Sequence, residues 1–515
     1  MARRTGAITG PLAAGSVFGL ILAALAAVAS RADWPVSFGA ADWTVLRFTV
    51  WQAFLSALFS VAFAVPVARA LARRRFAGRT ALVTLLGAPF ILPVIVAVMG
   101  LLVVFGRAGW VSQGLALLGL PPLSIYGLTG VVLAHVFFNM PLATRLILQG
   151  WQAIPAEQFR LAGQLGLPPW VVFRTLEWPL LRQVAPGAFA LIFVMSLTSF
   201  AVALTLGGGP RATTIELAIY QAFRFDFDLG RAAVLSLLQL VVAGSAAVLA
   251  LWILPPLVAQ MGRDRPVQRW DAQGTGSRLT DALWIGLAAI FLLAPLSAIA
   301  SSGVIGLGQM PPQVWPATWT SIWVAALSTG LLVALALPIS IWLAQARWGG
   351  AEALTLVGLA ASPLMIGTGW FILIYPLASP VRFALVVTAL VNAMMALPFA
   401  VRILMPAMQQ VMKDYGRLSA SLGLSGWALW RIVVLPRVRA PLGFAAGLAA
   451  ALSVGDLGVV TLFADTERAT LPLQMYRLMG SYRTDAAAGA ALLLLALALA
   501  MFRLCDAWGR RHADG

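Results

Sequence analysis

Lysine is almost absent from this chain. Of its 35 basic residues only Lys413 is lysine, and the rest are arginine. A phosphate-cradling P-loop needs a lysine just after a Gly-rich turn. Lys413 follows Gln409, Gln410, Val411 and Met412, with no glycine in reach, so the chain does not hold ATP in that way. Cysteine is nearly missing too: Cys505 stands alone, which excludes an intrachain disulfide and a cysteine-based metal cluster. Charge is scarce, at 10% of residues, where a soluble domain carries about 25%. Short segments of alternating polarity are missing, which argues against a β-barrel. No Ser/His/Asp set and no metal-binding cluster is apparent, so nothing points to covalent catalysis.

Apolar residues fill the space. The chain is 61% hydrophobic, with a mean hydropathy of +0.91. Runs of about 20 apolar residues recur, which reads as an all-α transmembrane protein with many spans. Twelve spans are expected, near 12–30, 44–69, 81–105, 126–148, 186–206, 232–256, 281–302, 319–344, 353–375, 383–404, 441–463 and 485–503. The net charge of +17 fits basic loops facing the cytoplasm rather than nucleic-acid binding. Arg3, Arg4, the run Arg73-Arg74-Arg75, Arg79, Arg263, Arg265, Arg347, Arg510 and Arg511 then lie inside, with both termini. The N-terminus resembles a signal peptide, with two arginines, an apolar run and Ala27-Val28-Ala29-Ser30. The length of the run favours an uncleaved first span.

The chain contains a repeat. Glu157 to Pro179 reads EQFRLAGQLGLPPWVVFRTLEWP, and Asp414 to Pro436 reads DYGRLSASLGLSGWALWRIVVLP. Arg160 pairs with Arg417, Gly166 with Gly423, Trp170 with Trp427, Arg174 with Arg431 and Pro179 with Pro436, each 257 positions apart. Pro141 and Arg145 match Pro398 and Arg402 at the same offset. Residues 1–256 and 281–515 thus form two six-span halves, joined by a cytoplasmic linker at 257–280. Six spans per half put both in one orientation, as parallel repeats. Pro66 and Pro338 fall in matching second spans, and Pro93 and Pro363 in matching third spans.

Each copy reads as helix, turn, helix. Gly166 and Gly423 break the first helix by accepting a positive φ. Pro168-Pro169 in one copy, and Ser425-Gly426 in the other, start the second. Pro179 and Pro436 are expected to end it before the chain re-enters the membrane. Leu165, Leu167, Leu422 and Leu424 flank the glycines. Apolar residues rimmed by arginine suit a protein contact or a loop lying on lipid headgroups. The residues alone do not choose between the two.

The spacing from glycine to proline, in Gly166…Leu176-Glu177-Trp178-Pro179 and Gly423…Val433-Val434-Leu435-Pro436, resembles the cytoplasmic "EAA" loop of bacterial ABC importer permeases. Two copies in one chain narrow the resemblance. Ser199-Phe200-Ala201-Val202 through Gly209-Pro210, then Thr213-Thr214-Ile215-Glu216, look like the fused permeases of bacterial thiamine importers. So do Leu452-Ser453-Val454-Gly455-Asp456-Leu457-Gly458, Thr470-Leu471-Pro472 and Gly480-Ser481-Tyr482-Arg483. The resemblance implies the type I importer permease (MetI-like) fold, with about twelve transmembrane helices. It implies coupling loops at 149–185 and 405–440. There Arg160, Leu165, Gly166, Leu167 and Pro179, with Arg417, Leu422, Gly423, Leu424 and Pro436, dock two copies of an ATP-binding subunit. ATP and Mg are then bound by that subunit, and this chain holds no cofactor. A periplasmic thiamine-binding protein, the lipid bilayer of the bacterial inner membrane and import of thiamine and its phosphates are implied as well. The chain departs from the family pattern at Arg160 and Arg417, where the loop usually carries Glu; Glu157 and Asp414 lie one turn earlier. Fused ferric-iron permeases share the architecture. An ion-coupled secondary transporter with two six-helix halves is a reading of another class, and it would not need the duplicated loops.

Asp456 is expected inside span eleven, with Ser199 as its partner in the first half. An acid in a membrane usually marks a pathway, or else an ion pair that only stabilises. Asp456 beside Phe200 suits the cationic thiazolium of the implied substrate. Thr213 to Phe225 reads as an amphipathic outer segment with Glu216 on its polar side, and Asp226 and Asp228 follow. Asp485 matches Asp228. Glu216, Asp226, Asp228 and Asp485 are candidates for a periplasmic gate or a binding-protein contact. His135 and Asn139 read as internal hydrogen-bond partners.

Overall fold

A computed structural model describes residues 2–32, 39–87, 89, 91–207, 209, 212–253, 269–345, 362–424, 426–463 and 469–510. The described residues form helices and no strand. Among the described residues, eleven helices are long and apolar enough to cross a membrane. A twelfth, Pro363–Ile374, is shorter and sits where the ninth span is expected; residues 346–361, just before it, lie outside the described residues. Arg263, Arg265, Arg347, Ser425 and residues 257–268 of the linker also lie outside them.

The two halves are built alike. In the first, Ala40–Arg73 packs on Leu128–Ala153 and on Trp178–Leu197. In the second, Val314–Gln345 packs in the same way on Pro380–Ser421 and Leu435–Val454. Pro66 and Pro338 sit within the matching helices Ala40–Arg73 and Val314–Gln345. The first helix of each half crosses to the other. Ala2–Arg31 packs on Pro363–Ile374 and Val314–Gln345, and Thr275–Gly306 packs on Val94–Phe105 and Ala40–Arg73. Small residues allow the close approach: a β-carbon on Gly369 would lie 2.3 Å from the Ala24 carbonyl oxygen.

Three spans differ from their expected form, each for a local reason. The third is not one helix over 81–105. Arg79–Leu85 stops, and Val94–Phe105 begins behind Pro93. Proline has no N–H to donate, and it turns the preceding residue away from helix. Pro363 likewise opens its helix, so the matching prolines sit at matching starts. The fifth span breaks at Thr198 to Phe200, between Trp178–Leu197 and Ala201–Leu206. The eleventh breaks at Gly455 to Leu457, between Leu435–Val454 and Gly458–Phe463. Asp456 is therefore in a non-helical gap rather than within a continuous span.

Candidate functional site: a central cavity and two repeated loops

The two helix breaks line one cavity. Ser199 and Phe200 approach it from the first half and Asp456 from the second, around a space of about 390 Å3. That volume falls in the range of small-ligand sites, roughly 300–1,000 Å3. The lining follows the repeat. The offset of 257 that pairs Ser199 with Asp456 also pairs His135 with Asn392 and Phe138 with Met395, and all six border the cavity. Asp456 Oδ1 accepts from the Gly458 N–H at 3.1 Å and so caps the half-helix behind it. Its other oxygen, Oδ2, is buried, and Asn392 is the neighbouring side-chain donor. Asn392 donates to Ser453 Oγ at 3.0 Å. Phe200 meets Tyr220 edge to face, with ring centroids 5.4 Å apart. His135 Nδ1 shares a hydrogen bond of 3.0 Å with Ser56 Oγ, as its internal role required. Asn139 borders the cavity as well.

The geometry brings Ser199, Phe200 and Asp456 together. It adds Asn392 and Ser453, which the sequence reading missed; the offset from His135 was the signal for Asn392. Chemically the cavity is an apolar chamber with one carboxylate, one amide pair and several aromatic rings. That combination suits an organic cation.

The repeated loops have matching turns. Gly166 has φ +61° and Gly423 has φ +65°, the left-handed region that glycine enters without a steric cost. Each turn closes in the same way. The Leu167 N–H donates to the Ala162 carbonyl at 3.0 Å, and the Leu424 N–H donates to the Ser419 carbonyl at 2.9 Å. Before the turns lie Ala156–Gln164 and the end of Pro380–Ser421. Beyond them, Pro168 caps Pro169–Val172, while Gly426–Leu429 opens the second copy. Pro179 and Pro436 do not end these segments. The chain passes through a wide turn, Phe173–Glu177 or Trp430–Val434, into the next transmembrane helix, where each proline occupies the first turn. A missing N–H is harmless there.

Leu165 and Leu422 are 64% and 65% exposed at the tips. Arg160, Gly166 and Pro179 are exposed, as are Arg417, Gly423 and Pro436; Leu167 and Leu424 are half-buried. Both copies thus present the same open apolar tip beside an arginine.

At the other end, Asp226, Asp228 and Asp485 are exposed. Asp228 Oδ1 accepts from the Arg231 N–H at 2.8 Å. Glu216 departs from its expected place on a water-facing side. It is fully buried, and Oε2 accepts from Ser362 Oγ at 2.8 Å. The polar side of Ile215–Arg224 turns, at this residue, toward the second half rather than toward water. Glu216 so placed cannot reach a docked protein, and it joins the two halves instead.

Sequence reading also missed a buried ionic cluster behind the first loop. Glu177 Oε2 accepts from Arg69 Nε at 2.7 Å, and Oε1 accepts from Arg269 Nη2 at 2.6 Å. Arg269 also holds both oxygens of Asp271 at 2.7 Å. Burial alone would raise the Asp271 carboxyl, but Arg269 and Arg73 outweigh it and hold the group below its ordinary value.

No protein-family model matches the chain. It is 43% identical over 488 residues to the thiamine transport system permease protein ThiP of Salmonella typhimurium, covering 92% of this chain and 90% of that protein. ThiP of Escherichia coli is 42% identical over 482 residues, covering 90% of this chain and 88% of that protein. The molybdenum transport system permease protein ModB of Mycobacterium bovis is 31% identical over 237 residues, covering 45% of this chain and 88% of itself. That permease is about half as long as this chain and matches about half of it. With likeness to ThiP running nearly end to end, the chain belongs to the family of thiamine transport system permeases.

Proposed function

We propose that this chain carries thiamine and its phosphates across the bacterial inner membrane, as the permease of an ATP-driven importer. It is a transport component and not an enzyme, as its family is. A periplasmic binding protein delivers the substrate at the face that bears Asp226, Asp228 and Asp485. Two copies of a cytoplasmic ATPase, which bind the ATP and Mg, dock on the loops at 149–185 and 405–440. Both termini then lie in the cytoplasm, as the arginine distribution asks. The halves, 1–256 and 281–515, turn about the cavity between them. The ATPases close on ATP and push Leu165, Gly166 and their counterparts Leu422, Gly423; the bundle opens outward, and hydrolysis returns it.

The observation that carries this reading is the Asp456 carboxylate, set at the meeting of two helix breaks in a mostly apolar lining. A carboxylate at membrane depth is costly unless it is paired or hydrated. It is relieved when a cation such as a thiazolium enters. A ferric ion would call for several oxygen ligands, whereas the cavity lining includes one carboxylate. The test is uptake by vesicles holding this chain, its ATPase and its binding protein. Labelled thiamine should accumulate with ATP, and ferric iron should not. Iron uptake without thiamine uptake would overturn the assignment. Uptake that needs a proton gradient and no ATPase would overturn the class.

A further inference from the structure

The described part of the linker, from Arg269 onward, lies against the back of the first repeated loop. Trp270 closes over Gly163, where a β-carbon would sit 2.7 Å from the indole Nε1 and 3.0 Å from Cδ1. Arg269 stacks on the Phe159 ring, its guanidinium carbon 4.1 Å from the centroid. It then reaches Glu177, which is fully buried. The other oxygen of Glu177 is held by Arg69, and Arg73 Nη2 lies 3.8 Å from it and 3.6 Å from Asp271. One carboxylate therefore ties three segments: the Ala40–Arg73 helix, the first loop and the linker. From the linker the chain runs straight into Thr275–Gly306, the first helix of the second half. Arg74 donates there to Asp281 at 2.7 Å and to Ser277 at 3.1 Å.

The second loop does not repeat these residues. At an offset of 257, Phe159, Gly163 and Glu177 become Gly416, Ala420 and Val434. The ring that Arg269 stacks on, the bare backbone that admits Trp270 and the central carboxylate are all replaced. The asymmetry lies at three separate positions of one interface, which points to a built contact.

We infer that Glu177, Arg269 and Trp270 form a strap that carries the movement of the first loop to the first helix of the second half. They are positioning residues for transport. Charge-assisted hydrogen bonds at 2.6–2.7 Å, taken out of water, do not slide or exchange with solvent as surface pairs do. A push on the first loop moves Glu177. Arg69 and Arg73 take that displacement into one half, and Arg269 with Asp271 takes it into the other. The two halves turn together through this knot at the first loop. The inference rests on the reading that these loops receive the ATPase.

The test uses the complete importer in proteoliposomes and reads thiamine taken up per ATP hydrolysed, with ATPase co-purification scored first. Gly163→Ala displaces Trp270, and Glu177→Gln weakens the knot at nearly constant volume. Each is expected to lower the ratio at least threefold while the ATPase still co-purifies, and Glu177→Asp should recover part of it. Gly244→Ala, outside both loops and with open space around it, should leave the ratio at the wild-type value. An unchanged ratio in both Gly163→Ala and Glu177→Gln, with ATPase bound, overturns the strap alone. So does a loss of uptake and hydrolysis in equal proportion, since that marks a merely structural cluster. A wild-type chain that binds no ATPase overturns the docking reading and the strap with it.

Discussion

Gly455 and Pro93 touch across the boundary between the halves: a β-carbon on Gly455 would lie 2.8 Å from the proline Cβ. Each sits at a helix break, and each borders the central cavity. Gly455→Ala should therefore destabilise this packing by about 1–3 kcal/mol, the usual cost of overfilling a tight contact. The thermal unfolding midpoint of the purified protein reads this out. Gly244→Ala, with nothing near its β-carbon, should leave the midpoint where it is. Equal midpoints for the two variants would show that the contact gives way freely.

Asp456→Asn keeps the shape of the cavity and removes its charge. A hydrogen bond to a charged group is worth about 1.5–3 kcal/mol, so uptake at limiting thiamine should fall roughly tenfold or more. The ATPase should still bind, because Asp456 lies at the cavity and on neither loop. Wild-type uptake by this variant would remove Asp456 from the pathway.

The loop tips make a prediction of a different kind. Leu165→Asp with Leu422→Asp places charge on both exposed apolar tips and should abolish co-purification of the ATPase. Arg160→Glu with Arg417→Glu restores the acid usual in the family and reverses the local charge. If the partner surface has adapted to arginine, this pair of changes weakens binding several-fold, and the weakening fades in high salt. Tighter binding would mean that the partner surface favours an acid at these positions.

Asp271 sets a pH dependence. Its folded carboxyl is held below its ordinary value by Arg269 and Arg73 despite burial. A lowered value adds stability above the unfolded value, and the gain disappears as pH falls through the folded one. Asp271→Asn leaves Arg269 without its bidentate partner and should cost about 3–5 kcal/mol near neutrality, as breaking a buried pair does. Between pH 6 and 8 the gap between variant and wild type should be flat. It should close only in strong acid. Thermal unfolding across that range checks it, and a gap that narrows already near pH 6 would refute the charged state of the cluster.

Much of this architecture was legible in the sequence, and the reasons differ by feature. The turns at Gly166 and Gly423 were readable because a positive φ nearly demands glycine. The constant offset of 257 revealed the repeat and, with it, the pairing of Ser199 with Asp456. The breaks at Thr198 to Phe200 and at Gly455 to Leu457 were hidden, because a two- or three-residue gap hardly lowers the hydropathy of an apolar run. Glu216 misled because a helix with one acid on its polar side looks amphipathic whether that side meets water or Ser362. The Glu177 cluster was invisible for another reason. Its arginines stand 108 and 92 positions away, and only folding brings them to one point.

The crossed first helices bear on how such a protein is made. Ala2–Arg31 packs on Val314–Gln345 and Pro363–Ile374, both synthesised long after it. Until they arrive, this helix waits in lipid with much of its mating face uncovered. Thr275–Gly306 finds Val94–Phe105 and Ala40–Arg73 already in place when it inserts, and it receives Thr484–Arg510 later. Assembly must then close like a clasp, with the earliest helix seated among later ones. Joining the halves in one chain keeps that waiting helix tethered to its own partners, where a half-length permease would have to find a second molecule.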